Sequence, residues 1–316
     1  MPAISATAPG KIILFGEHAV VYGRPAIAVP VNQVAARVIV MANPRAAPGA
    51  LRIQAPDIGL EADLSEIPGD HPLAYAINLV LDKIGARRAP ACVLRIASTI
   101  PVASGMGSSA AVSVALLRAF SGFLGSPLPD EEVNQLAYQV EALYHGTPSG
   151  IDNSVITYNR PVFFLRGEPI RILDVPQPFS VVIGDTGISS PTSTTVGDVR
   201  CAWREDPDDY DSIFDQIGSI SERARRAIEA GDPGYLGPLM VENHDLLRRL
   251  EVSSVELDRL IDAAMNAGAL GAKMSGGGRG GNMIALVGTE SVDQVTEALL
   301  ESGAQRTIAT TVGVHP

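Results

Sequence analysis

The amino-acid sequence predicts a globular protein that mixes helices with strands. Short apolar runs separated by turn residues fill the first third of the chain, which is typical of strands. Apolar residues at helical spacing appear at residues 72–84 and again through residues 213–267. At about 100–200 residues per domain, the 316 residues suggest two domains or one large one. Because hydrophobic residues make up 46% of the chain and charged residues 19%, a disordered or fibrous protein is excluded.

The elements of the first part follow in chain order. Strands are predicted at residues 12–15, 26–31, 35–41, 51–54, 91–97, 161–165 and 180–183. Helices are predicted at residues 72–84, 108–120 and 130–145. Asp130 is expected to cap the third of these helices, because further acidic groups follow it in the first turn.

Helices dominate the later part of the chain. Amphipathic spacing predicts them near residues 213–228, 236–250 and 255–267, and the tail has the pattern of strand 283–287, helix 292–300 and strand 307–312. The Pro176-Gln177-Pro178 stretch is the expected domain boundary. It divides the chain into domains at residues 1–175 and 176–316.

Charge and cysteine content narrow the classes of function. The net charge of −11 repels nucleic acids and anionic membranes, but it still allows a small anionic ligand in a local positive pocket. Two distant cysteines, Cys92 and Cys201, form neither a disulfide framework nor a zinc site. Residues 96–117 lack charge, but proline and glycine interrupt them, so no membrane span is expected. With no signal peptide at the N-terminus, a cytoplasmic enzyme is the expectation.

The Gly-Ser segment, residues 104–111, is a glycine-rich turn that leads into an apolar helix. Such a turn directs unpaired N–H groups and the positive helix end at one point, where phosphate oxygens are stabilised. Ser108 and Ser109 add hydroxyls suited to phosphate or magnesium. The alternative is an ordinary loop with a serine cap. The segment is not a Walker A motif, because no Gly-Lys-Ser/Thr follows at the required spacing.

The late glycine segment, residues 273–281, is a second glycine-rich stretch with two possible interpretations. It carries Lys273 and Arg279 and is the most basic loop predicted in an acidic chain. So many glycines cost chain entropy, which favours a close backbone approach and a role in covering an active site. A flexible connection between a helix and a strand is the alternative.

Two further clusters contain candidate acid, base and metal-binding groups. Glu141 and His145 are four residues apart on one helix face, and Asp152 follows in a turn-rich stretch predicted as a loop. In one interpretation, one of the two carboxylates binds a metal and the other acts as a base. In the alternative, Glu141 is a solvated residue and Asp152 forms a turn. Near the N-terminus, Lys11 precedes a short apolar strand and Glu17 and His18 follow it.

Together these segments resemble the three motifs of the GHMP kinases, a family of ATP-dependent kinases of small molecules, in the same order along almost the whole chain. Within the family, Gly-Glu-His-Ala-Val-Val near the N-terminus and His-Gly-x-Pro-Ser-Gly-x-Asp-Asn at residues 145–153 are most similar to the members that phosphorylate mevalonate. Three positions depart from the family pattern. Gly277 replaces the usual alanine, Arg279 a usual glycine, and Met106 a common leucine.

The resemblance implies a role for each matching residue. Asp152 would accept the proton of the substrate hydroxyl, and Lys11 would lower the pKa of that hydroxyl and neutralise charge on the phosphoryl group. Ser109 and Glu141 would bind Mg²⁺. The mevalonate site would include Glu17, His18 and Thr192. ATP would be bound by Ser104, Gly105, Met106, Gly107, Ser108, Ser109, Ala110, Gly276, Gly277 and Gly278.

The resemblance also implies an α+β, two-domain GHMP kinase fold, with an N-terminal domain similar to ribosomal protein S5 domain 2 and a ferredoxin-like C-terminal domain. The implied reaction transfers the γ-phosphoryl of ATP to the primary hydroxyl of mevalonate, giving 5-phosphomevalonate for isoprenoid biosynthesis. The alternatives are a kinase of another small alcohol, a sugar or a phosphomevalonate, and a non-catalytic metabolite-binding protein of this fold. A homodimer stays open, and no nucleic-acid or membrane partner is expected.

Overall fold

The computed structural model describes residues 3–101, 104–145, 148–189 and 191–313, without the side chains of Tyr144 and His145. It divides into two compact units that interleave along the chain. The first unit comprises Met1–Gly10, Val34–Val102 and Met106–Asn159, and the second comprises Lys11–Gln33, Ala103–Gly105 and Arg160–Pro316. The division into domains at residues 1–175 and 176–316 does not interleave, and it stays a prediction.

The strands of the described residues are β1 (Ile4–Phe15), β2 (Ala26–Ala42), β3 (Leu51–Ala55), β4 (Leu60–Asp63), β5 (Cys92–Ser98), β6 (Val162–Phe164), β7 (Arg171–Ile172), β8 (Phe179–Asp185), β9 (Gly271–Ser275), β10 (Asn282–Val287) and β11 (Arg306–Val312). The helices are α1 (Pro72–Ile84), α2 (Ser108–Phe123), α3 (Asp130–His145), α4 (Ile151–Tyr158), α5 (Thr192–Glu205), α6 (Pro207–Ala230), α7 (Leu236–Arg249), α8 (Val255–Asn266) and α9 (Val292–Glu301).

The first unit packs four helices, α1 to α4, with a twisted sheet. Strand β5 lies parallel to β3 and antiparallel to the later part of β2, and β4 pairs antiparallel with β3. Burial alternates along β3 and β5, so one sheet face is in the core while the other carries polar residues such as Arg95. Helix α2 is the centre of the core, with Phe120 and Leu116 fully buried. This packing fixes the direction of its first turn.

The second unit contains an antiparallel sheet in the order β11-β8-β10-β9. Numbered along the chain, this is the order 4-1-3-2, and with α5 to α8 after the first strand and α9 before the last it matches the implied ferredoxin-like domain. Helices α8 and α9 pack on the sheet, and α7 packs closely along β9. Strand β10 is buried along its whole length because it lies between β8 and β9.

Several elements differ from the sequence prediction. Strand β2 runs through the exposed Asn32 and Gln33, where two shorter strands were predicted. Asp130 is the first residue of α3 rather than its cap. The short helix α4 and strand β9 lie where loops were expected, and the threonine-rich α5 lies where no element was predicted. Both cysteines are free, as predicted. Within the described part of the chain, every helix is too short or too polar to cross a membrane.

Candidate active site

The Gly-Ser segment forms the turn that the sequence predicts at the start of a helix. Gly105 and Gly107 both have a left-handed backbone, with φ of 73° and 72°, and α2 begins directly after them at Ser108. A Cβ atom placed on Gly105 would meet no atom of the described residues within 4 Å. Met106 and Ala110 are buried and anchor the turn. The first N–H groups of α2 are therefore available for an anion.

Ser109 and Glu141, the two predicted metal ligands, lie side by side in the first unit. The Ser109 hydroxyl donates a hydrogen bond to Glu141 Oε1 at 2.6 Å. Glu141 is on α3 and is 4% exposed, so its carboxylate is largely withdrawn from water. The pair supplies two hard oxygen atoms, the ligand type that Mg²⁺ prefers.

Asp152 lies in the first turn of α4, which corrects the prediction that it sits in a loop. Gly150, at φ of 89°, turns the chain into this helix. The next residue, Asn153, donates from Nδ2 to Asn134 Oδ1 on α3 at 2.6 Å. Helix α4 is thus fixed to the helix that carries Glu141. The side chain of His145 lies outside the described part of the chain.

Glu17 and His18 form a tight turn at the end of β1. The Ala19 N–H donates to the Glu17 carbonyl at 2.6 Å, and His18 has φ of 60° and ψ of −51°. These angles are those of a γ-turn with positive φ, a rare and strained conformation. The chain continues into a short 3₁₀ helix whose Tyr22 ring stacks on Phe214 at a centroid distance of 4.0 Å.

Lys273 lies in β9 and is fully buried, which corrects the prediction that it makes a basic loop. Its ammonium forms an ion pair with Glu17 and donates a second hydrogen bond to the Met274 carbonyl at 2.7 Å. Burial raises the pKa of Glu17, while the charges of Lys273 and, more weakly, Lys11 oppose that rise. Burial likewise lowers the pKa of Lys273, and Glu17 opposes the change.

His18 is held by the late glycine segment. Its Nε2 lies 3.0 Å from the Gly277 carbonyl, an acceptor, so Nε2 carries the proton and donates. Burial, with a smaller contribution from the Arg279 charge, lowers the pKa of His18 to about 4. The ring is therefore neutral at pH 7, which makes Nδ1 an acceptor. Among the described residues this buried atom has no hydrogen-bond partner, and neither has Glu17 Oε2.

Thr192, the third predicted substrate ligand, lies against the same segment. It begins α5, and a Cβ atom on Gly277 would come within 2.8 Å of the Thr192 hydroxyl. Only glycine therefore allows this approach. The three residues that the resemblance assigns to mevalonate are thus brought together around Gly277 and Lys273.

Arg279 is not available as a free cation. It pairs with Asp198 on α5, and its Nε donates to the Glu251 carbonyl at 3.1 Å. Its backbone N–H donates to the Val252 carbonyl at 2.7 Å. Arg279 therefore ties the late glycine segment to α5 and to the connection between α7 and α8.

Asn282 and Ser275 are structural partners of the motifs that the sequence reading missed. Asn282, at the start of β10, donates to the Ser104 carbonyl at 2.6 Å, and Ser275 donates to the Ile13 carbonyl at 2.7 Å. The sequence feature that could have indicated Asn282 is a polar residue directly before an apolar run, as in Asn-Met-Ile-Ala-Leu-Val. Lys11 is in the second unit and Asp152 in the first, and the catalytic roles of both stay predictions.

Comparisons with known proteins identify the class. The family described as GHMP kinases N terminal domain matches residues 72–160, and GHMP kinases C terminal matches residues 224–305. A mevalonate kinase of Thermococcus sibiricus is 39% identical over 95% of this chain and 93% of its own length.

Solved structures agree with the sequence relatives. The L. major mevalonate kinase in complex with R-mevalonate has a TM-score of 0.82 and 32% identity, covering 98% of this chain and 95% of that one. The Methanococcus jannaschii mevalonate kinase has a TM-score of 0.84 and 26% identity, covering 98% of each chain. These similarities and the fold define an ATP-dependent kinase of small molecules. The chain belongs to the GHMP kinase family.

Proposed function

We propose that this chain transfers the γ-phosphoryl group of ATP to the primary hydroxyl of mevalonate, giving 5-phosphomevalonate and ADP for isoprenoid biosynthesis. The observation that carries the proposal is the grouping of Glu17, His18 and Thr192 around the late glycine segment. Relatives and structural neighbours of the whole chain are named mevalonate kinases, and one was solved with R-mevalonate.

ATP binding is assigned to the start of α2. Phosphoryl transfer needs in-line positioning and neutralisation of charge more than covalent help. The first N–H groups of α2 and the open space over Gly105 suit the phosphate oxygens. Gly276, with φ of 90° and similarly open surroundings among the described residues, is a second candidate for close phosphate approach.

Mg²⁺ is assigned to Ser109 and Glu141. The buried carboxylate and the adjacent hydroxyl fit a hard divalent ion that completes its shell with phosphate oxygens and water. Such an ion, when bound, neutralises charge on the phosphates. The hydrogen bond from the Ser109 hydroxyl to the Glu141 carboxylate shows that the two side chains are adjacent.

Asp152 and Lys11 are assigned to the chemistry at the hydroxyl. Asp152 would orient the substrate hydroxyl and accept its proton, and Lys11 would offset the charge that develops on the transferred group. Lys11 is 6% exposed and its charge acts on Glu17, so it belongs to the same electrostatic environment as the substrate residues.

Glu17 and His18 are suited to binding a hydroxyl. Glu17 Oε2 and His18 Nδ1 are acceptors that are buried and lack partners among the described residues, and a buried acceptor without a donor is costly. A substrate hydroxyl supplies the missing donor. The mevalonate carboxylate would instead be repelled by Glu17, so we assign these two residues to hydroxyl recognition.

A coupled assay of ADP release tests the proposal across mevalonate, phosphomevalonates, galactose and homoserine. We expect turnover with mevalonate far above the others. The Asp152→Asn variant keeps the shape of the side chain but removes the acceptor charge, so kcat should fall by about three orders of magnitude with little change in the KM for mevalonate. Turnover of another substrate in preference, or near-native kcat in Asp152→Asn, would contradict the substrate and the base, respectively. A cytoplasmic location and a homodimer remain predictions from the sequence.

A further inference from the structure

The Glu17-His18 turn is strained and buried, so contacts with the rest of the protein must stabilise its backbone conformation. A residue with positive φ outside glycine persists only where its surroundings determine the conformation. The backbone bond from Ala19 to the Glu17 carbonyl is local and would form in any γ-turn. Contacts with distant parts of the chain, including those of the two side chains, must therefore add support.

Both side chains are held by the β9 region. The Lys273 ammonium pairs with Glu17, and the Gly277 carbonyl accepts from His18 Nε2. Just before the turn, Ser275 donates to the Ile13 carbonyl of β1 at 2.7 Å. Residues about 260 positions later in the chain thus fix the turn at its start and at both of its side chains.

We propose that Lys273 is a positioning residue for substrate binding: it fixes the Glu17 carboxylate through Oε1, so that Oε2 is left as a buried acceptor for a substrate hydroxyl. This inference rests on the proposed function. It assigns a role in the substrate site to a strand that the sequence predicts only as part of a glycine loop.

The chemistry of the pair favours this role over a purely structural one. Burying two charges costs more than burying apolar residues of the same volume, so an ion pair is weak support for stability alone. Here the Lys273 and Glu17 side chains are both 0% exposed. Lys273 also donates to the Met274 carbonyl and lies 6.0 Å from the Phe15 ring, so its ammonium has a fixed position. The pair gives Glu17 a defined orientation, and the Lys273 charge opposes the rise in the Glu17 pKa that burial causes.

The Lys273→Met variant removes the cation and keeps the length of the side chain. Burial then raises the pKa of Glu17 without its main opposing charge, and the carboxyl loses the donor that orients it. We expect the KM for mevalonate to rise on the order of 10- to 100-fold, as for the loss of a charged hydrogen bond. The KM for ATP should stay within about threefold, a change of less than 1 kcal/mol. An unchanged KM for mevalonate in a folded Lys273→Met protein would overturn the proposal.

Two further variants separate positioning from folding. Ser275→Ala removes a buried hydrogen bond from the same strand to β1 but keeps both side-chain contacts of the turn, so it should lower the melting temperature and raise the KM for mevalonate far less than Lys273→Met does. The double variant Glu17→Gln/Lys273→Met removes both charges, so it should fold even if Lys273→Met does not. The KM of the double variant for mevalonate should be raised above the native value, as in Lys273→Met. A double variant with native KM would show that the pair of Glu17 and Lys273 is not needed, and the proposal would be wrong.

A readout without substrate distinguishes this inference from the proposed function. The ¹⁵N spectrum of His18 reports its tautomer, which the turn and the Gly277 carbonyl fix as Nε2–H in the native protein. In Lys273→Met we expect His18 to lose that fixed tautomer and titrate closer to its ordinary pKa. If the native protein fails to phosphorylate mevalonate but this change occurs, the proposed function fails and the support of the turn by Lys273 stands. An unchanged His18 spectrum would overturn that support.

Discussion

The two glycine-rich segments use the same residue for different physical reasons. In the Gly-Ser segment, Gly105 has positive φ and open space around it among the described residues. In the late glycine segment, a Cβ on Gly278 would lie 2.0 Å from the Val252 carbonyl oxygen, and one on Gly280 would lie 2.5 Å from that of Ile188. The first segment has open space for a ligand at Gly105, whereas Gly278 and Gly280 of the second segment are packed against the backbone of Val252 and Ile188.

This difference changes what a glycine-rich motif indicates. An open glycine with positive φ provides a backbone conformation and space, which suits phosphate. A packed glycine allows two pieces of backbone to approach each other, which suits a scaffold. Because Gly277 brings Thr192 close and its carbonyl holds His18, most of the late glycine segment is a scaffold for residues that the resemblance assigns to the substrate. Gly276 and Gly281 are open positions within it.

The largest expected effect is on folding, from Gly278→Ala. The new methyl group would overlap the Val252 carbonyl, and φ of 81° adds backbone strain. We expect a loss of about 3 kcal/mol or more in the free energy of unfolding, measured by chemical denaturation. Gly276→Ala is the matched control, because its φ of 90° is similar and its surroundings are open. It should cost only about 1 kcal/mol. Equal losses in the two variants would break the distinction between packed and open glycines.

The sequence predicts those parts of the fold whose signals are local. Helices α1 and α3 match their predicted residues because apolar spacing and turn residues define them. Helix α4 was missed because Pro148, Ser149 and Gly150 before it read as a turn. Helix α5 was missed because threonine is a weak helix former. Strand β9 was missed because the glycines after it dominate the local pattern, although the strand itself is fully buried.

For the candidate site, the resemblance predicts the residues but not the contacts that hold them in place. Glu17, His18 and Thr192 were singled out by motif, and the structure groups them. The Glu17 and Lys273 pair joins residues 256 positions apart, so no local pattern reveals it. The strain at His18 was equally hidden, since only the fold determines its backbone angles.

The next effect follows from the neutral state of His18. In the folded chain its pKa is about 4, against an ordinary value of 6.5. Between pH 4 and pH 6.5 the unfolded state binds more protons than the folded state. The free energy of unfolding therefore rises with pH across this range, and the contribution of His18 is fully present above pH 6.5. The contribution is about 3 kcal/mol. Because other groups also titrate, we compare the native protein with His18→Asn, which lacks the titration.

As the pH falls from 7 to 4, the unfolding free energy of the native protein should therefore decrease relative to that of His18→Asn. Denaturation at several pH values measures it. A constant difference across this range would mean that burial does not hold His18 neutral in the folded protein.

A smaller effect on stability, but a clear one on binding, is expected for Gly105→Ala. The methyl group enters open space, so the cost to folding is about 1 kcal/mol from positive φ alone. If that space takes the ATP phosphates, the KM for ATP should rise about tenfold, close to 1.4 kcal/mol. Gly125→Ala is the matched control, with φ of 79° and open surroundings among the described residues at the other end of α2. It should show the same loss of stability with native KM for ATP.

The smallest effect is expected where this chain departs from the family, at Arg279. Its guanidinium is 36% exposed and its partner Asp198 52% exposed, so the pair is screened by water and contributes only about 0.5 kcal/mol. Glycine adopts the observed φ of 55° without strain, so Arg279→Gly should leave stability nearly unchanged and kcat native. Removing the nearby cation should raise the pKa of His18 slightly. Asp198→Asn is the control for the pair, since it breaks the same contact with the backbone intact. If Arg279→Gly instead lowered kcat by orders of magnitude while Asp198→Asn did not, Arg279 would be a phosphate ligand, and the late glycine segment would be a second ligand-facing loop rather than a scaffold.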